Sequence, residues 1–100
     1  MRLAPVPAGG LGPKLAVWVA LVDGVVAART AAAARRIYER ANEVAFLPVD
    51  LFREDDVDEP ALTRAWAAMN EKLETRIRAL PPASDLVHEL CCFRDLLNTT

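Results

Sequence analysis

Apolar residues recur at the three- and four-residue intervals of an α-helix in three separate stretches of the chain. The first stretch predicts one long helix over about residues 14–45, the second a helix over about 60–80, and the third a helix over about 85–97. The valines between residues 17 and 26 would also suit a strand. We favour a helix there because the run is long, lacks turn residues and continues into an alanine-rich segment.

Capping and breaking residues mark the ends of these helices. Pro48 ends the first helix, since the residue before a proline is disfavoured in the helical conformation. Asp58 is the predicted cap of the second helix, and Ser84 or Asp85 that of the third. A short Pro-Pro-Ala-Ser link joins the last two helices into a hairpin or a steeply crossed pair. The predicted fold is therefore all-α, a small three-helix domain in which a long N-terminal helix precedes a shorter helical hairpin.

The division of the chain follows from its proline and glycine residues. Residues 1–13 are rich in both and predict a flexible or extended N-terminal arm. Residues 14–100 predict a single helical domain. The segment 46–59 joins the first two helices, and its apolar residues are too numerous for a solvated loop, so we expect them to cover the core. They are Phe46, Leu47, Leu51 and Phe52.

The first half of the long helix is apolar on nearly every side, which predicts burial on every side. The two shorter helices cannot easily cover both of its apolar faces, and surplus apolar surface usually marks an interface. A row of small residues at intervals of four would let another helix approach closely. The predicted interface consists of Trp18, Ala20, Leu21, Gly24, Val25 and Ala28.

The functional prediction depends on this uncovered apolar surface of the long helix. We expect a non-enzymatic protein–protein interaction module, either a homo-oligomer such as a homodimer or a small subunit or adaptor of a larger assembly. One alternative is a peripheral membrane protein that inserts residues 15–28. Another is a small thiol- or metal-responsive regulator that uses His88, Cys91 and Cys92.

Composition and charge narrow the choice of partner. Of the 100 residues 53% are hydrophobic, and the net charge of −2 lacks the basic excess typical of nucleic-acid binding. The apolar run 15–28 contains Asp23 and is shorter than the roughly 20 residues of a membrane span. A row of arginines could form a basic ridge, but Glu39 and Glu43 interrupt it. These arginines are Arg29, Arg35, Arg36 and Arg40.

The two cysteines, Cys91 and Cys92, are adjacent and cannot join distant segments of one chain. A reducing, cytoplasmic setting fits this usage best. His88 lies one helical turn before both thiols, but a closed zinc site needs four ligands and would require Asp95 or a second subunit. We therefore favour thiols that pack in or beside the core.

No other catalytic or ligand-binding pattern is present in the sequence. The acidic run 54–59 lacks the glycine of a calcium loop and is interpreted as a solvated segment. There is no glycine-rich phosphate loop, no GxSxG and no HExxH. The sequence accordingly predicts no enzyme activity, no cofactor, no metal and no small-molecule substrate.

Overall fold

The computed structural model describes residues 11–54 and 57–100, and this part of the chain is all-α, as predicted, without a strand. It contains four α-helices and one 3₁₀ helix. The α-helices are α1 (Leu11–Ala27), α2 (Ala31–Asn42), α3 (Glu59–Arg78) and α4 (Asp85–Leu97), and the 3₁₀ helix is Pro48–Arg53. Of the predicted N-terminal arm, residues 1–10 lie outside the described residues, and residues 11–13 belong to α1.

The prediction of one continuous helix over 14–45 is wrong, because residues 28–30 interrupt it. Thr30 has an extended backbone, and its side chain accepts a hydrogen bond from the Ala33 amide at 3.1 Å. This is the geometry of a helix N-cap, and it starts α2 anew. At the end of α1, the guanidinium of Arg76 donates to the Ala28 carbonyl at 3.3 Å, which satisfies an acceptor that the helix leaves free.

The interruption lets α2 fold back against α1. A Cβ atom placed on Gly24 would lie 3.4 Å from Cδ1 of Ile37, so the two helices are in close contact at this point. In one straight helix these residues would be about 20 Å apart along the axis, at about 1.5 Å per residue. Part of the apolar surface of α1 is therefore covered by the segment that was predicted to extend it.

The core combines residues from all four helices and the 3₁₀ helix. Trp18 and Phe93 are the largest fully buried side chains, and their rings meet edge to face with centroids 6.2 Å apart. The stripes predicted for the two later helices point into this core. They comprise Leu62, Trp66, Met69, Leu73 and Ile77 on α3, Leu80 just after the end of α3, and Leu86, Leu90, Phe93 and Leu97 on α4.

The connection between α2 and α3 lies against the core, as its apolar residues predict. Leu51 is fully buried, and Phe52 packs on Trp66 with ring centroids 5.4 Å apart. The Leu47 amide donates to the carboxylate of Asp50 at 2.8 Å, which caps the 3₁₀ helix.

The predicted caps of the last two helices are confirmed. The Asp58 carboxylate accepts from the Ala61 amide at 3.1 Å, and the Ser84 hydroxyl accepts from the Leu86 amide at 3.0 Å. Each cap satisfies an amide that has no partner within its own helix.

Candidate interaction surface

Four of the six predicted interface residues lie inside the chain rather than on its surface. They are Trp18, Leu21, Val25 and Ala28. The indole nitrogen of Trp18 donates to the Phe46 carbonyl at 3.1 Å, so its one polar group also has a partner within the chain. The apolar residues of α1 are buried as the pattern requires. The cover comes from α2, α3, the 3₁₀ helix and Phe93 of α4.

The other two predicted residues remain near the surface. Ala20 is exposed, and Gly24 is half-buried beside Ile37. Ala20 belongs to a row of exposed apolar residues on the side of α1 that faces away from the core. We call this row the outer stripe of α1: Pro13, Ala16, Val17, Ala20 and Ala27. Val17, which is 40% exposed, is the only exposed large hydrophobic side chain among the described residues.

The charged residues of α1 are both engaged in ion pairs at the flanks of this stripe. Lys14 contacts Glu54 at 2.8 Å, and Asp23 contacts Lys72 at 2.8 Å. At 100° per residue the two charges fall on opposite sides of the helix. The outer stripe is therefore an uncharged surface bordered by two neutralised pairs.

Unlike the outer stripe of α1, the solvent-facing sides of α2 and α3 carry many charged residues. On α2, Arg36, Glu39 and Arg40 are exposed within two turns, and α3 exposes charged residues along its length. Arg35 belongs to the predicted basic ridge, as Arg29 does. Its guanidinium contacts Glu39 at 3.4 Å and Glu89 at 3.6 Å. These mixed charges are typical of a solvated helix surface.

The cysteines of α4 lie at the edge of the core and are free thiols. The Cys92 sulfur lies 3.8 Å from Nε2 of the exposed His88, whereas the described residues show no such contact between His88 and Cys91. Within residues 11–54 and 57–100, no three ligand-type side chains are grouped as a metal site would require. One chain thus offers a pair of ligand atoms.

The acidic run between the 3₁₀ helix and α3 has identifiable roles at both ends. Glu54 pairs with Lys14, and Asp58 caps α3. Asp55 and Asp56 lie outside the described residues.

Two surface grooves of about 370 Å³ each are present, and hydrogen bonds engage some of their polar groups. In the first, beside Val26, Lys72 pairs with Asp23 and Arg76 donates to a backbone carbonyl. In the second, the amides of Asn70 and Asn98 bond each other at 2.7 and 3.0 Å. One buried nitrogen of a residue lining each groove, Nε of Arg76 in the first and Nε1 of Trp66 in the second, has no hydrogen-bond partner among the described residues.

A partly exposed ion pair between Arg94 and Glu74 joins α4 to α3. Arg94 donates to Glu74 at 3.0 Å, and this hydrogen bond raises the pKa of Arg94 above its usual value. The guanidinium is therefore charged throughout the accessible pH range and has a structural role.

Comparisons with protein-family models, with curated proteins and with solved structures find no match to this chain. In the described part of the chain, no helix combines the length and the apolar character that crossing a membrane requires.

Proposed function

We propose that this chain is a non-enzymatic interaction module that self-associates through the outer stripe of α1. The observation that carries the proposal is the lack of charge on this surface: α1 exposes Pro13, Ala16, Val17, Ala20 and Ala27, and its two charged residues are paired at the flanks. An apolar surface bordered by polar groups is typical of association sites.

The partner that suits this stripe is a second copy of the chain. A two-fold contact uses the same surface on both subunits, so small residues must meet small residues. An antiparallel pairing centred on Ala20 would place Ala16 of one copy opposite Gly24 of the other. The helices could then approach closely, and the two flanking ion pairs would remain at the rim of the contact.

The burial of the large apolar side chains argues against membrane insertion of residues 15–28. Trp18, Leu21 and Val25 belong to the core, so the folded chain offers a bilayer little more than alanines and Val17. Interfacial helices generally insert tryptophan, phenylalanine or leucine. We also propose a cytoplasmic setting, which the two free thiols support.

The solution mass of the full chain, measured by light scattering over a range of concentrations, tests this proposal. We expect the mass to rise from the monomer value of 10.9 kDa towards twice that value. The variant Ala20→Glu places a charge in the middle of the stripe and should remain monomeric. Ala68→Glu on α3 is the matched control, because Ala68 is also an exposed alanine inside a helix, and it should associate as the native chain does.

A mass of 10.9 kDa at every concentration would contradict self-association. Loss of association in Ala68→Glu as well would show that the stripe is not the contact. Co-sedimentation of the native chain with lipid vesicles, abolished by Ala20→Glu, would favour the membrane alternative instead. Circular dichroism confirms that each variant is folded.

A further inference from the structure

We propose that His88 and Cys92 form one half of a zinc-type metal site, which the same pair from a second copy completes. The two residues are one helical turn apart on α4, so they project from the same side of the helix. Thiolate sulfur and imidazole nitrogen are the ligands of structural zinc sites, and two such pairs make the common set of two cysteines and two histidines.

The spacing of the two ligand atoms suits a shared metal ion. The Cys92 sulfur and Nε2 of His88 are 3.8 Å apart. A tetrahedral ion with Zn–S near 2.3 Å and Zn–N near 2.0 Å requires about 3.5 Å between these atoms. Small rotations of two side chains at the surface are enough to close the difference.

The surroundings of the pair favour a cation. Asp85 lies three residues before His88, and Asp95 lies three residues after Cys92, so all four are neighbours on one side of α4. Both aspartates are exposed. Two basic side chains that contact α4 or belong to it are paired with other acids: Arg94 pairs with Glu74, and Arg35 pairs with Glu89.

The same acidic residues make the site dependent on the metal. Two copies that face each other through this side of α4 would bring four carboxylates together, which repel one another. A divalent ion bound between them offsets part of this repulsion. We therefore expect the contact between copies to form only when the ion is present.

Binding requires one proton to leave each thiol. The S–H bond of Cys92 breaks, the proton passes to solvent, and a sulfur–metal bond forms without any change of oxidation state. His88 binds through the lone pair of Nε2 in the tautomer that carries its proton on Nδ1. One ion between two chains is then ligated by two thiolates and two neutral imidazoles.

Titration of the reduced full chain with Zn²⁺ alone tests the proposal, with the stoichiometry from calorimetry and the mass from light scattering. We expect one ion per two chains and, in the Ala20→Glu variant whose α1 contact is disrupted, a doubling of the monomer mass on binding. Replacing Zn²⁺ by Co²⁺ should add the absorption of a thiolate–cobalt bond. The variants Cys92→Ser and His88→Ala should each weaken binding by more than the roughly 10- to 100-fold that loss of an outer-shell partner usually costs.

Cys91→Ser is the matched control, because Cys91 is the neighbouring thiol with similar exposure, and it should bind Zn²⁺ as the native chain does. The proposal is overturned if native chain fails to bind, if it binds one ion per chain without a change in mass, or if Cys91→Ser loses binding as Cys92→Ser does. Ala20→Glu, which disrupts the proposed α1 contact, should leave the metal-dependent dimer intact. The two proposals can therefore fail separately.

Discussion

At the level of a single residue, Trp18 joins α1 to α4 and to the segment that follows α2. Its position in an apolar stripe requires burial, and the side chain is fully buried. The sequence does not say which surface buries it. In the structure the cover comes from within the chain, with Phe93 at the ring edge and the Phe46 carbonyl on the indole nitrogen.

Replacement of Trp18 by alanine tests this internal role. We expect Trp18→Ala to lower the free energy of unfolding by about 3–5 kcal/mol, because it leaves a large cavity and an unpaired carbonyl in the core. Val17→Ala is the control one position away, and at 40% exposure it should change stability by less than about 0.5 kcal/mol. Urea unfolding of dilute, monomeric protein measures both. Equal, small effects would mean that Trp18 is not in the core.

Thr30 explains at the level of elements why the first helix was predicted without a break. Residues 28–34 consist of alanines, Arg29 and Thr30, with no glycine or proline to indicate an end. A capping threonine is recognised most readily when glutamate or glutamine follows three residues later, and here Ala33 occupies that position. The tertiary packing of α2 on α1 decides the break, and local propensity does not reveal it.

The substitution Thr30→Ala distinguishes the broken helix from a continuous one by the sign of its effect. Loss of the cap should destabilise the protein by about 1 kcal/mol. In a continuous helix the same change would stabilise it by several tenths of a kcal/mol, because alanine is the better helix former. Thermal unfolding measures the difference, and Thr30→Ser, which keeps the capping oxygen, is the control. An increase in stability in the alanine variant would contradict the break.

The two later helices show when sequence reasoning succeeds. Their ends are marked by Asp58, Ser84 and the proline pair, and their apolar stripes have a single direction. Local signals and core packing agree in these helices, so the pattern alone identified them. The first helical stretch has two stripes and no internal marker, and its course depends on contacts that only the fold supplies.

At the level of the whole molecule, the break changes the size of the free apolar surface. A single helix over 14–45 would leave large residues such as Trp18 and Leu21 uncovered by the two shorter helices. Once α2 folds back, the uncovered part of α1 is reduced to small residues and Val17. Of the six residues predicted for the interface, Ala20 and Gly24 remain at the surface, and the proposed contact is narrower than the sequence suggested.

The sequence shows the possible metal ligands of α4 only through their spacing of three and four residues. The pattern identifies His88 and the two cysteines as neighbours on a helix, but it does not say which thiol meets the imidazole. The side-chain directions in the structure select Cys92. They also place this pair on a different helix from the outer stripe of α1, so the chain has two separate surfaces through which copies could associate.

One magnetic-resonance contact tests directly whether α2 folds back on α1. The chain has two isoleucines, Ile37 and Ile77, so selective labelling of isoleucine δ1 methyl groups gives two signals. We predict a strong nuclear Overhauser effect between the Ile37 δ1 methyl group and the α-protons of Gly24, because a Cβ at Gly24 would lie 3.4 Å from that methyl carbon. A continuous helix would separate the two residues by about 20 Å. Absence of the effect in the folded monomeric protein would contradict the fold, the burial of Trp18 and the position of the outer stripe together.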